Sequence, residues 1–226
     1  EAIKAAPLRA PRAVPRPGGE IFRVDAKADA GVVSIGGWES FSGCPPNRAR
    51  WFSVELTRKN APWIYVKGEP FKIISSLELL AITVGIMVFG PGAKWKDLAG
   101  RLALTAYTDN QTNAYVLDKF MSTAFPASVI LMELAMQLQD RQIDLDLQWI
   151  PREQNVEADA LTNEDFTMFS HENRLEVDLL NLDFKVLNVL MALAEDIDRD
   201  IVLKRSSKPM PSNQDPAKKM RLTQPW

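Results

Sequence analysis

The spacing of apolar residues restricts the fold of this chain more than any other feature, because it changes along the sequence from a period of two to about 3.6 and back. Period-two segments rich in aromatic and β-branched residues predict short strands at residues 21–26, 32–38, 51–56 and 63–66. Short loops join these segments, which favours an antiparallel meander. The change of period predicts a mixed α/β domain.

Helices and strands alternate in the remainder of the predicted domain. One helix opens at Pro70 and runs to about Phe89, since proline is well tolerated in a first turn and Gly90-Pro91 stops the helix. The pattern then predicts a strand at residues 102–108, helices at 110–121 and 127–141, a strand at 143–150 and a helix at 156–161.

Composition excludes several classes of protein. Of the 226 residues 46% are apolar and 25% are charged, which excludes a disordered chain. The single cysteine, Cys44, excludes an intrachain disulfide framework and fits an intracellular location in the cytoplasm or nucleus. The longest apolar run, residues 79–89, is shorter than the roughly 20 residues that span a bilayer, so we expect a buried helix and no membrane partner.

Charge and proline content predict how the chain is divided. Both ends are basic and rich in proline, whereas the middle is acidic. We therefore expect a linker at residues 1–19, a globular domain at 20–165, a helical extension at 166–203 and a disordered basic tail at 204–226. The tail is interpreted as solvated, with a nuclear-import signal or a phosphate-binding arm as alternatives. The chain begins without Met or a signal-peptide pattern and is interpreted as a piece of a longer protein.

Four carboxylates fall where this order of elements would bring them together. Glu78 shares the helical stripe of the apolar residues around it, and a carboxylate on a packing face is costly unless something compensates it. Asp25 is placed near the end of the first strand, and Asp109 directly follows the strand at residues 102–108. Asp159 lies in the helix after the last strand. Singly, each also fits a turn, a helix cap or a solvated helix position.

Four gathered carboxylates would repel one another and therefore need cations. Oxygen ligands without nearby cysteine or histidine select Mg²⁺ or Mn²⁺ over zinc. Two such ions about 4 Å apart activate water and stabilise the leaving oxygen in phosphodiester cleavage. The sequence therefore predicts a two-ion hydrolytic site.

Four sequence blocks resemble the motifs of retroelement ribonuclease H domains. They are FRVDAKAD at residues 22–29, SLELLA at 76–81, YTDN at 107–110 and WIPREQNVEADAL at 149–161. The resemblance covers residues 20–165 and is greatest to the ribonuclease H region that follows the reverse transcriptase in retrotransposon polyproteins. The last block is the most specific, because proline, asparagine, alanine and aspartate recur in it at fixed spacing.

This resemblance implies a ribonuclease H-like fold, with a central mixed five-stranded sheet whose first three strands are antiparallel and which is flanked by helices. It implies endonucleolytic cleavage of the RNA strand of RNA:DNA hybrids, with two Mg²⁺ ions and a reverse-transcriptase domain in the same polyprotein. By the same resemblance the metal ligands are Asp25, Glu78, Asp109 and Asp159. Asp29 is an alternative first ligand; Asp25 is preferred because the following turn then has ordinary length.

One departure from the family concerns the loop before the last aspartate. Cellular and retroviral members usually carry a histidine there that aids product release, whereas this chain has Pro151-Arg152-Glu153-Gln154, and other retrotransposon members also lack the histidine. Its only histidine, His171, follows the last motif and is interpreted as a surface residue. We expect slower turnover.

A hybrid duplex would be held through its phosphates and 2′-hydroxyls. Asn110, beside the metal site, is one candidate contact, and the cationic candidates are Arg48, Arg50, Arg58, Lys59, Lys67 and Lys72. The strand tryptophans Trp51, Trp63 and Trp149 are expected in the core, with stacking on the nucleic acid as the alternative.

Two other functions stay open on the sequence. The first is a catalytically inactive ribonuclease H-like module that binds nucleic acid or acts as a scaffold. The second is a DNA-cleaving relative of integrases or resolvases, which share an acidic site. The apolar residues between 182 and 193 predict a further helix that packs on the domain or on a neighbouring part of the polyprotein.

Overall fold

The computed structural model describes residues 19–29, 31–41, 43–66, 68–91, 101–192, and the single positions 196, 199 and 203. The predicted tail at residues 204–226, nearly all of the predicted linker, and Lys67 lie outside the described residues.

A five-stranded sheet forms the centre of the domain, in the order β3-β2-β1-β4-β5. The first three strands pair antiparallel, whereas β4 lies parallel to both β1 and β5. The predicted fold class is therefore confirmed. The strands are β1 (Glu20–Asp29), β2 (Val32–Glu39), β3 (Trp51–Glu55), β4 (Leu102–Thr108) and β5 (Ile143–Trp149).

Five α-helices accompany the sheet within the described residues. The four predicted inside residues 20–165 are all present, and their ends agree with the predictions to within about two residues once the opening 3₁₀ turn Pro70–Ile73 is counted with the first of them. They are α1 (Ile74–Phe89), α2 (Gln111–Lys119), α3 (Ala127–Asp140) and α4 (Val156–Thr162), and the fifth, α5, is Leu187–Ala192.

Helix α1 is apolar on nearly every face because it is buried between the sheet and α3. A Cβ at Gly85 would lie 2.7 Å from the ring of Phe22, so the glycine allows the helix to approach β1 closely. Residues Pro70–Phe89 form the one described helix long and apolar enough to cross a membrane, and 67% of an apolar 18-residue window within it is buried inside the domain. Such burial is typical of the central helix of a globular core.

The predicted strand at residues 63–66 is wrong. Residues Pro62–Tyr65 form a 3₁₀ turn that buries Trp63 and Ile64 against the core. Pro62 has a fixed φ and no N–H to donate, which suits the first position of such a turn better than a strand inside a sheet.

The segment after α4 packs on the domain, mostly as loop. Ser170 accepts a hydrogen bond at its carbonyl from the Trp51 indole (2.8 Å), and the Leu175 N–H donates to the Trp51 carbonyl (2.7 Å). The predicted helix begins only at Leu187, because the carboxylate of Glu133 accepts the N–H groups of Lys185, Val186 and Leu187 and so fixes the start of α5.

Candidate metal centre

Asp25 lies in the middle of β1, so the expectation that it ends the strand is wrong. The pairing of β1 with β4 stops at Arg23 and Tyr107, and beyond it β1 is paired only with β2. There the amide of Asn155 donates to the free carbonyl of Val24 (3.0 Å) in place of the missing strand. Asp25 is buried, and the hydroxyl of Thr162 lies 3.1 Å from its Oδ2.

Both faces of the sheet contribute to the site. Gly36, the partner of Asp25 in β2, faces α4, since a Cβ there would lie 2.8 Å from that of Leu161. Phe22 on the other face contacts α1 through Gly85. Because β4 ends at Thr108, a carboxylate of α1 reaches past the strand toward Asp25.

Glu78 supplies that carboxylate from the second turn of α1 and is 7% exposed. The Asn110 amide donates to its Oε1 (3.1 Å) and the Thr108 hydroxyl to its Oε2 (3.2 Å). Asn110 also caps α2 by accepting the Asn113 N–H. The end of β4 and the start of α2 therefore orient the glutamate of α1.

Asp109 completes the group directly after β4. The exposed indole of Trp149, at the end of β5, donates to the Asp109 backbone carbonyl (3.0 Å). The carboxylate atom Oδ1 of Asp109 is buried and has no hydrogen-bond partner among the described residues. A buried carboxylate oxygen without a donor is costly, which points to a missing cationic partner.

Ligand oxygens of Asp25, Glu78 and Asp109, which we call the acidic triad, lie within 4.8 Å of one another. Burial, reinforced by the charge of Asp109, raises the pKa of Asp25 to about 7. Burial likewise raises the pKa of Glu78 to about 8, against the hydrogen bond from Asn110. The pKa of Asp109 is raised by burial and lowered in part by the charge of Arg152.

The chemistry of the acidic triad fits a divalent cation. It offers carboxylate oxygens and neither histidine nor cysteine, which is the donor set that Mg²⁺ and Mn²⁺ prefer. A cation would compensate the mutual repulsion and give the unpartnered oxygen of Asp109 a ligand role.

The structure does not place Asp159 in the acidic triad. Its Oδ1 accepts from Nη2 of Arg152 at 2.6 Å, and its Oδ2 accepts from the Asn163 amide at 2.9 Å. Its charge still raises the pKa of Asp25, so it remains within electrostatic reach of the triad. Asp29, the alternative first ligand, is exposed at the end of β1, outside the triad.

The predicted nucleic-acid contacts lie on several elements. Arg58 lies 4.6 Å from the ring centre of Tyr65, and Lys72 lies 5.8 Å from that of Phe71. Lys59 is exposed, Lys67 is outside the described residues, and the side chain of Asn110 is engaged with Glu78. These binding roles stay predictions.

The tryptophan expectation is confirmed for two residues and wrong for one. Trp51 and Trp63 are fully buried, whereas Trp149 is 48% exposed beside Asp109. The alternation of apolar and polar residues predicts the strand at 143–150 but not which of its faces is covered, and Gln148 and Trp149 at the end of β5 are both exposed.

Sequence reasoning missed the residues that hold the carboxylates in place. Thr108, Asn155 and Thr162 orient or border the triad, and Arg152 binds Asp159. The fixed spacing of Asn155 within the last block was the one available signal for that residue.

Comparison with known proteins finds solved structures that are similar to this chain. No protein-family model matches the chain, and no curated protein matches it. Ribonuclease H1 from the halophilic archaeon Halobacterium salinarum NRC-1 is a solved structure with 15% identity and a TM-score of 0.44, covering 66% of this chain and 98% of its own. A second similar structure is the N-terminal ribonuclease H domain of rv2228c from Mycobacterium tuberculosis, solved as a fusion with maltose binding protein. It has 11% identity and a TM-score of 0.41, and the match covers 66% of this chain and 95% of that one.

Proposed function

We propose that this chain is a metal-dependent endonuclease domain that hydrolyses the RNA strand of RNA:DNA hybrids. The observation that carries the proposal is the acidic triad, in which three carboxylates from β1, α1 and the end of β4 meet within 4.8 Å. The four sequence blocks that resemble retroelement ribonuclease H domains contain these three residues and support the choice of reaction.

In this proposal Asp25, Glu78 and Asp109 hold the metal, with Asp159 as a fourth ligand. Two bound Mg²⁺ ions would supply an activated water and stabilisation of the leaving oxygen. Thr108 and Asn110 fix the orientation of Glu78 by donating to its two oxygens. Asn155 ties the last block to β1 at the carbonyl next to Asp25.

The proposed contacts with the hybrid are one aromatic side chain beside the triad and a set of cationic side chains. Trp149 presents an exposed aromatic face beside Asp109, suited to stacking on a base or sugar. Lys72 precedes α1 by two residues and Arg58 lies over Tyr65, and with Lys59 and Lys67 they would bind phosphates of the duplex.

The proposed context is a retroelement polyprotein inside the cell, in which a reverse-transcriptase domain precedes this one. The acidic middle of the chain attracts nucleic acid weakly, so a neighbouring polymerase domain would supply part of the affinity for the hybrid.

One observation favours a second candidate function. Asp159 is bound to Arg152 and lies outside the triad, as expected for a module that binds nucleic acid without cutting it. In that case the chain would bind the hybrid, and Mg²⁺ would produce no cleavage.

The test is cleavage of an end-labelled RNA:DNA hybrid by the purified chain in Mg²⁺. The proposal predicts cuts in the RNA strand that disappear with EDTA, in Asp25→Asn and in Asp109→Asn. Asp29→Asn is the matched control, because it changes an exposed aspartate of the same strand that lies outside the triad, and it should retain activity. Equal loss in Asp25→Asn and Asp29→Asn would overturn the site assignment.

Two further experiments separate the alternatives. Cleavage of duplex DNA in preference to the hybrid would support the integrase-like function instead. Hybrid binding without cleavage, also when a reverse-transcriptase domain is supplied in trans, would support the inactive module.

A further inference from the structure

Asp159 differs from the members of the acidic triad in that one of the two donors to its carboxylate is a cationic side chain. Arg152 Nη2 binds Oδ1 at 2.6 Å, and the Asn163 amide binds Oδ2 at 2.9 Å. Asn163 and Asp159 lie one turn apart on the end of α4, so their contact is local. The bond from Arg152 comes from outside the helix and is the one that a competitor can remove.

Arg152 is placed to exchange partners. It begins the 3₁₀ turn Arg152–Gln154 between β5 and α4, and its side chain is 74% exposed. Its charge lowers the pKa of Asp109, so the guanidinium lies within electrostatic reach of the triad. An exposed guanidinium beside a metal centre matches the geometry of a phosphate, which it can bind through two parallel hydrogen bonds.

We propose that Arg152 exchanges Asp159 for a phosphate of the bound nucleic acid, and that this exchange frees Asp159 to serve as a metal ligand. In the substrate-free protein the guanidinium of Arg152 binds the carboxylate of Asp159. When a backbone phosphate of the substrate binds the guanidinium, Asp159 loses its strongest partner and turns toward the triad. Binding of the substrate and of the second cation are then coupled through one side chain.

This inference rests on the proposed nuclease function and adds a positioning residue to it. It also accounts for the observation that favours an inactive module, since a fourth carboxylate held by an exchangeable cation is available once substrate is present. The competing explanation is a permanent ion pair that only braces the loop between β5 and α4.

The experiment is a titration of the full chain with Mn²⁺ alone, followed by electron paramagnetic resonance without nucleic acid. The wild type should bind one Mn²⁺ at the triad and a second much more weakly. Arg152→Gln should tighten the second site about tenfold, because Asp159 is no longer held. Arg101→Gln is the matched control, since Arg101 makes an exposed ion pair with Asp144 (2.7 Å) at the opposite end of β4.

A second readout uses the affinity for the hybrid in EDTA, where no cleavage occurs. Arg152→Gln should weaken hybrid binding several-fold and lower the slope of log affinity against log salt by about one phosphate contact, whereas Arg101→Gln should change neither. Thermal unfolding of both variants checks that the fold is retained.

Two results would overturn the inference and can be told apart. If Mn²⁺ binds the triad but Arg152→Gln matches the wild type in Mn²⁺ stoichiometry and hybrid affinity, the pair is only structural and the proposed function stands. If the wild type binds no Mn²⁺ at the triad, both the inference and the proposed function fail.

Discussion

Among the described residues, buried carboxylates occur in two regions, and their surroundings differ in kind. Glu133 on α3 is fully buried and accepts hydrogen bonds from the Gln137 amide and from the N–H groups that begin α5. In the acidic triad Asp25 and Glu78 are buried as well and Asp109 is half-buried, yet the three carboxylates face one another, and Asp109 Oδ1 has no donor among the described residues.

The comparison separates structural from functional burial of charge. A buried carboxylate that is supplied with donors stabilises the chain segments that provide them. Carboxylates buried against each other destabilise the metal-free fold, and a bound cation removes this destabilisation. Such an arrangement is expected of a metal site.

Removing one charge from the triad should abolish catalysis while stabilising the metal-free fold. Asp109→Asn is expected to lower hybrid cleavage by roughly a thousandfold or more, because the metal loses a ligand. Without metal its Tm should rise, since the repulsion with Asp25 disappears. Cleavage assays and thermal unfolding in EDTA measure the two effects, and a lower Tm in EDTA would contradict the account.

Removing the charge of Glu133 should destabilise the fold and leave catalysis nearly unchanged. Glu133→Gln is expected to lower the free energy of unfolding by about 2–3 kcal/mol, because several buried N–H groups lose a charged acceptor. Cleavage per folded molecule should stay within about twofold of the wild type, since α5 does not contribute to the triad. Urea denaturation gives the first value, and active-site titration of the folded fraction gives the second.

The raised pKa values of the triad should make metal-free stability fall as pH rises. The pKa of Asp25 is raised from 3.8 to about 7, and the pKa of Glu78 is raised from 4.5 to about 8. The folded protein therefore keeps protons on these carboxyl groups at pH values where the unfolded chain has lost them. The folded state thus binds more protons than the unfolded state between about pH 4 and 8, and stability is lost across that window.

The measurement is Tm against pH with and without Mg²⁺. In EDTA, Tm should drop by about 5 °C or more between pH 5 and pH 8. Saturating Mg²⁺ should raise Tm more at pH 8 than at pH 5, because metal must displace protons at the lower pH. A Tm in EDTA that rises over this range would contradict the burial of uncompensated carboxylates.

The smallest expected effect is the change in metal affinity when the hydroxyl of Thr108 is removed. Thr108→Val keeps the side-chain volume but removes the hydroxyl that donates to Glu78 Oε2, so the pKa of Glu78 should rise further. Metal affinity at pH 7 should weaken about fivefold, as expected for the loss of one hydrogen bond to a charged group. Thr83→Val is the matched control, because Thr83 is equally buried on α1 but donates to the Leu79 carbonyl. Calorimetric titration with Mg²⁺ compares the two variants.

Apolar spacing predicted most strands and helices, and α1, which is buried on nearly every face, was predicted from its apolar run between Pro70 and Gly90. The spacing failed at Pro62–Tyr65, where aromatic content imitates a strand but Pro62 begins a 3₁₀ turn. The order of elements also predicted that Asp25, Glu78 and Asp109 meet, since each stands at a position that the topology fixes.

Other parts of the site depend on side-chain geometry that a pattern does not encode. Whether Asp159 faces the triad or Arg152 is a matter of which side-chain conformations are occupied, and both fit the same helix. The role of Glu133 depends on contacts with residues more than 50 positions away, for which periodicity gives no signal.

The most direct test of the central claim is a crystal structure of the chain grown with Mn²⁺, with the ion located by its anomalous scattering. The account predicts a peak bound by oxygens of Asp25, Glu78 and Asp109 at about 2.1 Å, and no peak at this position in Asp109→Asn. Mn²⁺ bound elsewhere, or a triad that stays without metal at millimolar Mn²⁺ and pH 8, would contradict it.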